Sequence, residues 1–166
     1  MKAQADVWFP RGTWFDFFTG RRVESRGEAG RRLRVWRDLD SYPVFAPAGA
    51  IIPLQDNALD QLNNVDNPEH LRVIVMPGDN GEFVLWEDAG AAQENVAWAA
   101  TTLSLNWAPA DDSDTRTFTI YPPADHVDVL PATRTWTLVF RGVAPIDEGD
   151  VTITVNNAKV ASERVA

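Results

Sequence analysis

The sequence has no cysteine, which excludes disulfide bonds and thiolate chemistry and favours a reducing compartment such as the cytoplasm. No run approaches the roughly 18 apolar residues of a membrane span. The N-terminus lacks the basic segment and following apolar segment of a signal peptide. These absences predict a globular chain without a membrane partner, and they leave its compartment unknown.

Positive charge is also scarce. The chain has 15 Lys and Arg against 24 Asp and Glu, a net charge of -9 at pH 7. Nucleic-acid binding needs a clustered basic surface, so we predict no nucleic-acid partner. One basic stretch runs from Arg31 to Arg37, but Leu33, Val35 and Trp36 interrupt it at strand spacing. We interpret it as the solvated face of a strand.

Helical periodicity is rare, and apolar residues recur at every second position instead. The alternation is clearest in residues 71–76, 135–140 and 151–155. Successive side chains of a strand point to opposite faces, so such runs bury one face and expose the other. Eleven Pro and ten Gly interrupt any long helix, and only Ala58 to Asn64 could form a helical turn or two. The sequence therefore predicts an all-β fold of antiparallel sheets with little helix, in β-sandwich-like modules.

Turn sequences separate the predicted strands. Gly78 to Gly81 predicts a hairpin between the strands at 71–76 and 82–87. Asn156 and Asn157 predict a second hairpin near the C-terminus, because Asn tolerates a positive φ.

A polar, Asn- and Asp-rich segment predicts a division of the chain. We expect a proximal β module in residues 1–56, a linker in 57–69 and a distal β-sandwich module in 70–166. The chain enters its first strand near Asp6, and the proximal module is short for an independent sandwich. Both features predict that a preceding segment has been left out.

Residues that could carry chemistry are few and scattered. His70 and His126 are each isolated, without the spacing of a metal-binding pair. The GxSxG nucleophile motif and the common glycine-rich nucleotide-binding motifs are absent. We therefore predict no catalytic, cofactor-binding or metal-binding residue in this chain.

Acidic pairs are the remaining catalytic candidates. Glu87 and Asp88 are adjacent at a strand end and should point to opposite faces, which is a poor geometry for a cooperating pair. The other acidic clusters are interpreted as a solvated loop without the Gly and distal Glu of an EF-hand, namely Asp111, Asp112 and Asp114, and as turn residues, namely Asp38 and Asp40.

Tryptophan is abundant, with seven residues, and exposed indole rings could stack on sugar rings. Most of these residues lie in runs of period two, where packing in a core or interface explains them. Packing in a core or an interface is the favoured interpretation, and sugar contact stays open, for Trp8, Trp14, Trp86, Trp98, Trp107 and Trp136.

Three segments carry a family resemblance. VWFPRGTWFDFFTG at residues 7–20 resembles the VYLPxGxWYDFWTG segment of family 31 glycoside hydrolases, the α-glucosidase and α-xylosidase group. DLDSYPVFAPAGAIIPLQ at 38–55 is similar to the family's LDxIPVFVRAGAIIPLQ. MPGDNGEFVLWEDAG at 76–90 is similar to YPGxDGSFTLYEDDG, which opens the family's distal C-terminal domain.

The resemblance implies a non-catalytic role for this chain. Family members are retaining enzymes whose two catalytic aspartates lie on a (β/α)8 barrel, and their WxDMNE nucleophile motif is absent here. The chain is then not an enzyme by itself, and its partner is the missing barrel. The alternative is a carbohydrate-binding module that recognises oligosaccharide through exposed aromatic residues.

The second segment also has features with a direct physical meaning. We expect Gly49 at a positive φ and in close backbone contact. Pro43 and Pro53 lack ladder donors, so the segment should lie at a sheet edge or bend. The dense aromatic content of Val7 to Phe18 predicts an apolar surface for barrel docking or self-association, unless the two modules cover it.

Overall fold

The computed structural model of the chain describes residues 2–38, 41–56, 66–90, 97–107, 115–143, 153–155 and 158–160. The architecture is almost entirely β, which confirms the predicted fold class. Within the described ranges the helical element is one 3₁₀ turn, Val127–Val129. The strands are β1 Ala3–Phe9, β2 Gly12–Asp16, β3 Arg22–Ser25, β4 Arg31–Arg37, β5 Phe45–Pro47, β6 Ile51–Gln55, β7 His70–Val75, β8 Gly81–Asp88, β9 Trp98–Asn106, β10 Thr117–Tyr121, β11 Thr135–Phe140, β12 Ile153–Val155 and β13 Ala158–Val160.

Within the described residues these strands form five sheets. β1 and β4 make a two-stranded ribbon, and β3, β2 and β5 make a three-stranded sheet in that order. Two further three-stranded sheets have the orders β11-β7-β6 and β10-β9-β8. β12 pairs with β13 in an antiparallel register, as the second predicted hairpin requires.

The main core lies between the last two three-stranded sheets. Val73, Val75, Leu103 and Leu105 are almost fully buried there, together with Ile51. In β9 every second residue from Ala99 to Leu105 is buried, so this strand follows the period of two predicted for it. The two sheets therefore pack face to face as a sandwich.

The hairpin predicted at Gly78 to Gly81 is wrong. β7 pairs with β6 and β11, whereas β8 pairs with β9 in the other sheet. Gly49 explains the difference, because its N–H donates to the carbonyl of Met76 and a Cβ on it would lie 2.3 Å from the Asn80 carbonyl oxygen. β6 therefore occupies the edge of β7 where a hairpin would have placed β8. The turn at Gly78 to Gly81 leads instead from β7 in one sheet to β8 in the other sheet.

One strand pair departs from the antiparallel rule. β11 pairs with β7 in parallel, with Trp136 opposite Leu71 and Leu138 opposite Val73. A parallel pair needs a long crossover connection. Here β8, β9 and β10 lie between the two strands in the sequence and supply that connection.

Hydrogen bonding joins the proximal and distal parts. β6, from the proximal part, pairs with β7 over five positions from Ile51 to Gln55. A second core cluster combines Phe15 and Ala46 with Ile74 and Met76. The linker residues 57–65, including the possible helical turn, lie outside the described residues. The division into separately folding modules stays a prediction.

Two local predictions are confirmed. Gly49 has a φ of 82°, in the left-handed region that favours glycine. β6, which contains Pro53, lies at the edge of its three-stranded sheet.

Candidate functional site

Asp16 is a buried carboxylate that the sequence analysis did not single out. Its Oδ1 accepts hydrogen bonds from the backbone N–H groups of Phe18 and Thr19, both at 3.0 Å. Its Oδ2 accepts from the guanidinium of Arg37, which lies on β4. Asp16 therefore closes the turn after β2 and fastens the β1–β4 ribbon to it.

Glu87 is the second buried carboxylate. Arg134 binds it with two parallel hydrogen bonds of 2.7 and 2.8 Å, and the exposed side-chain fractions are 4% for Glu87 and 10% for Arg134. Arg134 also donates from Nε to the carbonyl of Pro68. A bidentate pair of this kind neutralises the carboxylate and holds β8 to the start of β11.

Asp88 points away from Glu87, as predicted. Glu87 lies on the buried face of β8, whereas Asp88 is half-buried on the other face and accepts a hydrogen bond from the N–H of Gly90 at 2.7 Å. The adjacent acids are therefore not brought together.

The other sequence candidates are dispersed. His70 is exposed at the start of β7, and His126 is exposed before the 3₁₀ turn. The carbonyl of Asp38 accepts the N–H of Ser41, which fits the predicted turn. No three His, Asp or Glu side chains within the described ranges are grouped to hold a metal ion. Four acidic candidates lie outside the described residues: Asp40, Asp111, Asp112 and Asp114.

The basic stretch Arg31–Arg37 forms β4, and its two sides differ. Arg32, Arg34 and Trp36 are exposed on one face, as expected for a solvated strand. Arg34 pairs with Asp6 on β1, and the hydrogen bond from its guanidinium lowers the pKa of the Asp6 carboxyl.

The opposite face of this ribbon borders a cleft of about 410 Å³, which reaches the β3-β2-β5 sheet. Arginine side chains dominate its wall, but several of them are paired. Arg37 contacts Asp16, and Arg22 contacts Glu24, whose carboxyl pKa is lowered chiefly by a hydrogen bond from Arg26. The cleft is thus lined by internal ion pairs.

The tryptophans divide into two groups. Trp14, Trp107 and Trp136 are half-buried, and the latter two pack against the main core, as the core interpretation expects. Trp8, Trp86 and Trp98 are 51%, 62% and 50% exposed, so they do not pack in the core, and the interface and sugar-contact interpretations stay open for them. Trp36 is 55% exposed, as expected for the solvated face of β4. No helix in the described part of the chain is long and apolar enough to cross a membrane.

Similarity to known proteins agrees with this architecture. Residues 1–52 match the glycosyl hydrolase family 31 C-terminal domain. An alpha-xylosidase of Saccharolobus solfataricus is 31% identical over 122 residues, which cover 70% of this chain and 15% of that protein. The fold is shared with the GH31 alpha-xylosidase from Xanthomonas citri, whose crystal structure gives a TM-score of 0.59 at 24% identity over 95% of this chain and 16% of that one. The chain, which spans only a small part of the length of these relatives, belongs to the C-terminal region of glycosyl hydrolase family 31.

Proposed function

We propose that this chain is a non-catalytic C-terminal accessory region of a retaining α-glycosidase of the α-glucosidase or α-xylosidase type. Its role is to support a (β/α)8 catalytic barrel that is absent from the chain. The two relatives are named alpha-xylosidases, and the chain matches 15% and 16% of their lengths. This proportion supports a part of an enzyme whose chemistry is carried elsewhere.

The observation that carries the proposal is the bonding of Asp16 and Glu87, the buried carboxylates among the residues that the structure describes. Retaining glycosidases need two acids about 5–5.5 Å apart, one free to attack the sugar and one free to transfer a proton. Asp16 instead accepts two backbone N–H groups and Arg37, and Glu87 is held by Arg134. Both carboxylates serve to fasten strands and turns.

The surface that would meet the barrel lies on the proximal part. Phe17 packs towards the second core cluster, whereas Phe18 is 42% exposed and makes an edge-to-face contact with Tyr42, which is 65% exposed. Trp8 and Trp36 are exposed on the outer face of the β1–β4 ribbon. Aromatic residues are enriched in protein interfaces, so these exposed rings favour this part of the chain as the docking surface.

The isolated chain should not hydrolyse glycosides. We expect no turnover of nitrophenyl α-glucoside or nitrophenyl α-xyloside at high protein concentration. Activity that follows the purified chain through successive columns, and that is lost in Asp16→Asn or Glu87→Gln while the protein stays folded, would overturn the proposal. Removal of the matching region from the Xanthomonas citri enzyme should leave a barrel of lower thermal stability.

A second candidate function, oligosaccharide binding, is favoured by the exposure of Trp86 and Trp98 on β8 and β9. It is compatible with the accessory role, because a support region can also hold substrate.

A further inference from the structure

Three exposed aromatic side chains share one face of the β10-β9-β8 sheet. Trp86 on β8 is opposite Ala100, Trp98 on β9 is opposite Asp88, and Tyr121 on β10 is opposite Thr102. Paired residues point to the same side of a sheet, as do residues two apart along a strand. The exposed fractions of the rings are 62% for Trp86, 50% for Trp98 and 54% for Tyr121.

The spacing of these residues follows from the registers. Trp86 and Trp98 lie on adjacent strands and are offset by two residues, so their Cα atoms are about 8 Å apart for ordinary strand spacing and rise. Tyr121 lies two strands away from Trp86 and is offset from it by two residues in the direction opposite to Trp98. The Cα atoms of Tyr121 and Trp86 are therefore about 12 Å apart. Trp98 and Tyr121 lie on adjacent strands but are offset by four residues, which places their Cα atoms about 14 Å apart. The three residues thus form a triangle on the outer face, with Trp86 and Trp98 as its closest pair.

These three aromatic residues do not contribute to the main core, which packs against the other face of the sheet. The opposite face already presents Ala99, Leu103 and Leu105, all at most 2% exposed, to the main core. Large rings exposed on the outer face leave apolar area in contact with water, which is unfavourable by about 25 cal/mol per Å². A surface that retains three such rings on one face has the form of a binding site.

The floor between the rings is low and largely polar. Its side chains are small and half-buried, so they do not rise between the rings, and three of them carry hydroxyl groups that donate and accept hydrogen bonds. The floor residues are Val84, Ala100, Thr102, Ser104 and Thr119.

The charge of this face selects among ligands. Glu82 and Asp88 are its charged strand residues, and none of the strand residues on this face is Lys or Arg. Phosphate and other anions need cations or exposed backbone donors, so a nucleic acid or an anionic membrane does not fit this surface. A neutral ligand with many hydroxyl groups fits it, because a carboxylate accepts hydrogen bonds from such groups and a Ser or Thr hydroxyl both donates and accepts them.

We propose that the outer face of the β10-β9-β8 sheet is a binding platform for neutral oligosaccharide. The C–H faces of pyranose rings, which are weakly positive, lie against the negative faces of Trp86 and Trp98. Asp88 and the floor hydroxyls bind the sugar hydroxyls. Two rings on adjacent strands engage more than one sugar unit, so a chain of several sugars binds better than a monosaccharide.

The site is tested by titration of the chain with maltohexaose, cellohexaose and glucose while tryptophan fluorescence is followed. The choice of maltohexaose, which is α-linked, rests on the proposed function. Binding of the β-linked cellohexaose alone would support the binding platform even if the proposed α-glycosidase function is wrong. We expect a saturable change with a hexasaccharide and at least about tenfold weaker binding of glucose, which corresponds to about 1.4 kcal/mol.

The variants locate the binding. Trp86→Ala and Trp98→Ala should each weaken hexasaccharide binding by about tenfold or more, and Trp86→Phe should recover part of the loss. Trp36→Ala is the matched control, because Trp36 is equally exposed but lies on the β1–β4 ribbon. Circular dichroism establishes that each variant is folded.

Other outcomes would overturn the platform. One is a titration in which neither hexasaccharide changes the fluorescence at millimolar concentration, and another is a loss of binding in Trp36→Ala as large as that in Trp86→Ala. A change in self-association in Trp86→Ala and Trp98→Ala without any sugar binding would identify the face as a protein interface. The glycosidase assay of the isolated chain is independent of all these results.

Discussion

Substitution of Gly49 by Ala tests how tightly the proximal and distal parts are packed. Gly49 has a φ of 82°, and a Cβ added there would lie 2.3 Å from the carbonyl oxygen of Asn80 and 3.2 Å from that of Asp79. Both oxygens belong to the backbone of the turn between β7 and β8. A flexible side chain cannot move aside to relieve this contact, so the turn itself must shift.

The magnitude has two parts. A residue with a Cβ in the left-handed region costs roughly 1–2 kcal/mol more than glycine. Forcing an extra carbon into a well-packed position costs about 1–3 kcal/mol. We therefore expect Gly49→Ala to lower the free energy of unfolding by about 3 kcal/mol, which for a chain of this length lowers Tm by about 6–12 °C.

Gly27→Ala is the matched control. Nothing lies within 4 Å of a Cβ at Gly27, and its φ is outside the left-handed region. Its free energy of unfolding should change by less than about 0.5 kcal/mol. Urea unfolding of both variants measures the difference. A decrease of less than about 1 kcal/mol in the free energy of unfolding of Gly49→Ala, or equal decreases in the two variants, would refute the close contact between Gly49 and the turn at Asp79 and Asn80.

Three further predictions concern other parts of the chain. Phe17→Ser should cost about 2 kcal/mol because Phe17 packs against the core, whereas Phe18→Ser should cost less than about 1 kcal/mol and reduce self-association or dye binding; the reverse order in urea unfolding would show that the two roles are exchanged. Glu87→Gln should cost about 3–5 kcal/mol by leaving Arg134 buried without its charge partner, and adding Arg134→Met should recover part of the loss; no recovery in thermal unfolding would contradict this. Limited proteolysis should cut first in residues 57–69, because that segment is polar and rich in Asn and Asp; a first cut elsewhere in the mass spectrum would count against the predicted linker.

Features set by local chemistry were predictable from the sequence. Alternation of apolar residues gave the strands of the core, because one face of each strand must be buried. The positive φ of Gly49 followed from its small neighbours and the turn it had to make. Pro53 indicated an edge strand because proline cannot donate to a second neighbour.

Features set by pairing across the chain were not predictable in the same way. The sequence Gly78 to Gly81 is compatible with a hairpin, and it is the pairing of β7 with β6 and β11 that leaves no free edge of β7 for β8. The bond from Arg37 to Asp16 and the pair of Arg134 with Glu87 join residues 21 and 47 positions apart. Periodicity carries no information about which arginine will reach which carboxylate.

Exposure of aromatic residues was the least predictable feature of the candidate site. A period of two shows that Trp86 and Glu87 lie on opposite faces of β8, but it does not show which face is buried. The apolar residue would be assigned to the core. The structure buries Glu87 instead, because Arg134 supplies a charge partner there, and this leaves the indole of Trp86 on the outer face.

The distribution of charge separates the two surfaces proposed for this chain. Residues 1–56 contain nine Lys and Arg against seven Asp and Glu, whereas residues 57–166 contain six against seventeen. The exposed aromatics of the proximal part therefore lie among arginines such as Arg32 and Arg34. Arginine beside aromatic rings is typical of protein interfaces, which favours this part for barrel docking.

The acidic distal part has a different physical consequence. Its negative charge opposes adsorption of anionic polymers to the β10-β9-β8 face, and it does not oppose neutral sugars. Sugar binding by that face should consequently change little between low and high salt, because no ion pair forms with the ligand. Association through the arginine-bearing ribbon should instead weaken as salt is raised. A hexasaccharide titration at 20 mM and at about 500 mM NaCl, where screening acts within a few ångströms, separates the two surfaces, and strong salt dependence of sugar binding would contradict the assignment of a neutral ligand.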